Sequence, residues 1–267
     1  MTKNSIYLLV FAFVFTCVSC NKDNNNNESS SDLTVNTLSA KWDILDSNSP
    51  YASFEFNKDG NYIVVENDSA DLRSLSTNSK STLFKNNTVR AASTRSSDSN
   101  LSPIHFGTYQ IEGNNIILSG FGLIEVISIT AEEFVFSFTL EETGDQHGFV
   151  AGKSDEPISS SDRTNMLCRT WIIEHCTIGG ENFEEGIVGS IVLFSKAGTY
   201  LVLYEGAGGV AGLSEWKWAN QEETKLYYSW ANWTDNWSNN VVTITDLTTT
   251  NLVIQEGYIT WYLKLKP

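Results

Sequence analysis

Histidine is scarce in this 267-residue chain: there are three, His105, His147 and His175. None stands at a metal-ligand spacing from another histidine or a cysteine. Gly-x-Ser-x-Gly does not occur, so no nucleophile elbow is present. Gly206 to Gly212 is glycine-rich, but no helical pattern follows to receive a phosphate, so it reads as a β-loop. Glu141-Glu142 with Asp145 and His147, and Glu184-Glu185, read as solvated turns. The expectation is no enzyme, no cofactor and no metal. Positive charge is also in short supply, with 17 Lys and Arg against 32 Asp and Glu. The formal net charge of −15 excludes an overall attraction to nucleic acid or to anionic headgroups. Helical 3.6-residue periodicity is missing throughout. No apolar run is long enough to span a bilayer; Ile6 to Val18 is about 13 residues.

What is present begins with that run. Lys3 followed by Ile6–Val18 has the form of a secretory signal, assigned to residues 1–19. Cys17-Val-Ser-Cys20 resembles a bacterial lipobox, with Cys17 where an aliphatic residue is usual. The resemblance implies a lipidated Cys20 and anchorage in the bacterial outer membrane. Residues 20–32 are polar and carry no aliphatic side chain, as a flexible tether does. Lys22-Asp23 resembles the export signals of Bacteroidetes surface lipoproteins. The other two cysteines, Cys168 and Cys176, fall on one predicted strand, about 26 Å apart at strand rise, too far for a disulfide. His175 and Cys176 are neighbours and point to opposite faces, which argues against a catalytic pair.

Residues 33–152 and 164–267 read as two all-β domains, with a polar linker at 153–163 and a long loop without periodicity at 67–102. The second domain shows eight short strands separated by turn signals. Three signals occur in the same order in both halves. Trp42 and Trp171 lead. Phe56-x-x-x-Gly60-x-Tyr62 and Phe194-x-x-x-Gly198-x-Tyr200 follow. Ile129-Thr130-x-x-x-Phe134 and Leu247-Thr248-x-x-x-Leu252 come late. The order resembles the lipocalin-like (calycin-type) domains of Bacteroidetes lipoproteins, although no Gly stands two residues before either Trp. It implies two consecutive antiparallel up-and-down β-barrels of about eight strands each, and a small apolar or aromatic ligand.

Seven of the eight tryptophans lie in the second domain. Trp216 and Trp218 share one strand face; Tyr228 and Trp230 share a face of the next. Turned inward, these rings either fill the core or line a ligand cavity. Trp233 and Trp237, with Asn232 and Asp235, suit an exposed loop that stacks on a glycan or meets a protein. Asp68-Ser69-Ala70 resembles a Bacteroidetes O-glycosylation motif, with Ser69 as the acceptor.

Overall fold

A computed structural model of the chain describes residues 32–67, 104–155, 158–184, 186–204, 210–229 and 241–267. Among the described residues the fold is all-β apart from two short helices, α1 (Val35–Leu38) and α2 (Asp162–Leu167). No helix among the described residues is long and apolar enough to cross a membrane.

The first barrel runs β1 (Lys41–Ile44), β2 (Tyr51–Phe56), β3 (Asn61–Glu66), β4 (Ile104–Glu112), β5 (Asn115–Leu118), β6 (Gly122–Ile129), β7 (Glu133–Leu140) and β8 (Gln146–Lys153). Each strand pairs antiparallel with the next, and β1 closes on β8 with Trp42 opposite Lys153. The second barrel is made by β9 (Thr170–Ile178), β11 (Ile191–Phe194), β12 (Thr199–Tyr204), β13 (Val210–Trp218), β14 (Lys225–Ser229), β15 (Val241–Leu247), β16 (Asn251–Glu256) and β17 (Ile259–Leu265). It closes where β17 pairs with β9. A two-residue strand, β10 (Glu181–Asn182), extends β9. Both barrels therefore have eight strands and no open edge, as the turn spacing predicts.

The repeated signals are now physical parts. Trp42 Nε1 donates to the Leu38 carbonyl at 2.9 Å, and Trp171 Nε1 to the Leu167 carbonyl at 3.0 Å. All four residues are almost fully buried. In each barrel a short helix thus plugs one end, pinned by an indole four residues later. The helices are capped by Thr34 and Ser161, whose hydroxyls accept from the third residue on. Gly60 (φ 83°) and Gly198 (φ 81°) provide the left-handed residue of the matching hairpin turns. Thr130 and Thr248 tie the β6–β7 and β15–β16 turns: each Oγ1 accepts the backbone N–H three residues on, at 2.9 Å. A β-bulge recurs too, at Ile127 and at Thr245.

Two sequence expectations change. Leu38, which alternates with Ala40, Trp42 and Ile44 as a residue of the first strand would, belongs to a plug helix instead. Likewise the segment expected to be linker up to Arg163 runs into α2, and Cys168 caps that helix before β9 begins. Neither Cys168 nor Cys176 is in a disulfide. His175 and Cys176 do face opposite ways: His175 meets Glu184 at 3.0 Å on the outer surface, and Cys176 is in the core, where burial pushes its thiol up to about 11.

Candidate functional site

The two interiors differ, and the repeat shows where. The core of the first barrel is aromatic: Phe54, Phe136, Phe138 and Phe149 pack with Tyr51 and Phe121, for example Phe54 to Phe136 at 5.2 Å between ring centres. Counting from the shared Phe56/Phe194 and Phe134/Leu252, Phe54 corresponds to Val192, Phe136 to Ile254 and Phe138 to Glu256. Two phenyl rings have become aliphatic and one a carboxyl. The second barrel keeps a cavity of about 30 Å³, bounded by Phe194, Tyr200, Tyr204, Tyr228, Glu256, Trp261 and aliphatic side chains, Val192 and Ile254 among them. That volume holds one or two water molecules. The cavity lies toward the end away from the Leu167–Trp171 plug, since Tyr204, Tyr228 and Glu256 stand at or next to the far ends of their strands.

Glu256 is the chemical oddity of this interior. Burial pushes its carboxyl up to about 7, against the opposing pull of hydrogen bonds from Tyr228 and Trp261. The same burial raises Tyr200, Tyr204 and Tyr228 well above the usual phenol range, and Glu256 adds to each shift. The Tyr204 hydroxyl is buried with no hydrogen-bond partner among the described residues. The cavity thus offers an apolar wall with one carboxyl and unsatisfied hydrogen-bonding capacity at its outer end.

A pH dependence follows. A carboxyl whose pKa is raised on folding binds its proton more tightly in the folded than in the unfolded chain. The contribution of Glu256 to stability is then most favourable below about pH 4.5 and falls as pH rises to about 7, where the loss levels off. For Glu256 the loss reaches up to about 3 kcal/mol. Glu256→Gln removes this part of the slope. Urea midpoints of the wild type and the variant at either end of that window check it. Parallel curves would show that Glu256 is not responsible.

The predicted ligand-facing residues divide. Tyr228 lines the cavity. Trp216 and Trp218 point inward as their strand faces require, but they pack the plugged half. Trp216 Nε1 donates to the Ser195 carbonyl and Trp218 Nε1 to Thr164 Oγ1, both at 2.9 Å, and neither borders the cavity. Trp230, Trp233, Trp237, Ser69 and Cys20 lie outside the described residues. Among the described residues no group of His, Cys, Asp and Glu is arranged to hold a metal ion. Sequence reasoning missed Glu256, because Glu-Gly before a strand reads as an exposed turn.

Two consecutive closed eight-stranded antiparallel barrels, each plugged at one end by a helix under a tryptophan, are consistent with a tandem lipocalin-like fold. Such a barrel is compatible with a ligand-binding module. No protein-family model matches the chain, and no curated protein matches it.

Proposed function

We propose that the chain is a non-catalytic carrier, tethered through lipid on Cys20 to the bacterial outer membrane, whose second barrel takes a small apolar or aromatic ligand with one hydrogen-bonding end. The observation that carries this reading is the replacement of three interior phenyl rings by Val192, Ile254 and Glu256, which leaves a cavity in one barrel of an otherwise repeated pair. The lipobox-like Cys17-Val-Ser-Cys20 and the polar stretch after it support the tether. Ligand pockets usually span hundreds of Å³. Binding therefore requires the tyrosines and Glu256 at the outer end to move aside, with the ligand taking over their contacts.

The test is a screen of neutral apolar and aromatic molecules, read by tryptophan fluorescence and Tm, beginning with N-phenyl-1-naphthylamine. Wild type is expected to bind. Val192→Phe with Ile254→Phe, which restores the first barrel's filling, is expected to weaken binding by about tenfold or more. A screen that moves neither signal, or a filled variant that binds as well as wild type, would end the carrier reading.

A further inference from the structure

The barrels meet side by side at their plugged ends. Asp59, on the β2–β3 turn, accepts from the Thr170 N–H and hydroxyl at 2.8 and 2.6 Å. Asn61 Nδ2 donates to Thr170 Oγ1 at 3.0 Å, and Thr199 Oγ1 donates to Glu55 at 2.7 Å. Beside these bonds, Ile63 and Val65 pack against Leu193 and Leu201 from the outer faces of the two sheets. Adjoining this seam is a cleft of about 810 Å³. Its size is in the range of small-molecule sites.

The lining of this cleft opposes the character of the chain. Six cationic side chains border it: Lys41, Lys58, Lys153, Arg169, Lys196 and Lys266. The other cations among the described residues number four: Arg163, Lys217, Lys225 and Lys264. So a protein of net charge −15 gathers most of its described positive charge into one concavity. Only two acids share the lining, Glu55 and Asp59. Asp59 already accepts two hydrogen bonds from Thr170. Burial favours the neutral form of Glu55, whose side chain is 3% exposed. None of Lys41, Lys58 and Lys266 is in an ion pair among the described residues. Asn57 adds a buried Nδ2 with no partner among them. Like charges held in one concavity repel, and they focus the field onto any anion that enters.

We propose that this inter-barrel cleft binds a compact polyanion carrying several phosphate groups. Lysines supply point charges, and the Arg169 guanidinium is fixed in place by bonds to the Asn165 and Thr249 carbonyls. That combination suits phosphate oxygens. A single phosphate would leave most of the volume and most of the charge unused. The site is separate from the barrel interior: no residue lines both the cleft and the cavity.

The test is calorimetric titration of the chain carrying Cys20→Ala, so that no lipid of its own inserts into a bilayer, with inorganic tripolyphosphate at low salt, beside flotation with phosphatidylglycerol vesicles and with phosphatidylcholine vesicles as the blank. Tripolyphosphate is expected to bind and to raise Tm, with affinity falling steeply as salt is added. Lys58→Ala with Lys266→Ala is expected to weaken binding by about tenfold or more. Lys217→Ala with Lys225→Ala, which removes the same charge away from the cleft, should change it by less than about twofold. Vesicle binding that disappears in the first double variant assigns the phosphates to lipid headgroups; tripolyphosphate binding without it assigns them to a soluble ligand. Either supports the site. No binding in either arm, or equal weakening by the two double variants, overturns it.

Discussion

Trp171→Ala lowers the stability of the second barrel by about 3–5 kcal/mol, the range for emptying a large buried aromatic site. Trp171 is 0% exposed, and its Nε1 holds the Leu167 carbonyl at the end of α2. Alanine leaves a void at the plugged end and removes the indole's bond to the Leu167 carbonyl, which keeps only the bond from the Arg169 N–H. The helix then loses its main fastening to the barrel. Trp218 depends on the same helix through Thr164, so the damage spreads into β13. Trp171→Phe keeps most of the apolar volume but not the bond, and is expected to lose less. Trp42→Ala should do to the first barrel what Trp171→Ala does to the second. Guanidinium unfolding followed by tryptophan fluorescence and circular dichroism measures both. An unchanged midpoint for Trp171→Ala would mean that the plug is not what holds the closed end.

Leu201→Asp is expected to separate the barrels without unfolding either. Leu201 is on the outer face of the second barrel, yet it is 0% exposed because the first barrel covers it. A carboxylate cannot remain there among Ile63, Val65 and Leu193 without a cost of several kcal/mol. Opening the seam returns it to water at the expense of a small apolar contact and a few hydrogen bonds. Opening also breaks the Thr199–Glu55 bond and rehydrates Glu55, so the carboxyl loses the burial that raises its pKa. Small-angle scattering should show a larger radius of gyration, and proteases should cut between β8 and α2, while far-ultraviolet dichroism is unchanged. Leu201→Val, which keeps the face apolar, should leave scattering as in wild type. A compact Leu201→Asp protein of full stability would show that the seam does not hold the barrels together.

These two positions also show what can be read from sequence. The strands were legible because alternation survives wherever one face is wet, and because Gly60 and Gly198 mark their turns. Trp42 and Trp171 were legible as a repeat, but not as fastenings. Helices of four and six residues are too short to display a 3.6 period. A usable signal was nevertheless there: Thr34 and Ser161 as caps, and a leucine four residues before each tryptophan. Glu55 and Leu201 were unreadable for a different reason. Both point out of their own barrels, where a single-barrel pattern predicts solvent, and only the neighbouring barrel buries them. The cationic cleft was hidden in the same way. Lys58 and Lys266 are brought together by tertiary packing, and nothing local to either marks the other.

The seams between β1 and β8 and between β9 and β17 carry one more consequence. Because each barrel's first and last strands are neighbours, the chain enters and leaves both barrels at the plugged ends. Neither mouth carries a chain end. The loops rimming the mouths can therefore lengthen, shorten or change composition without rerouting the polypeptide or disturbing the seam that joins the pair. A scaffold wired this way keeps its joints at one pole and its freedom to vary at the other.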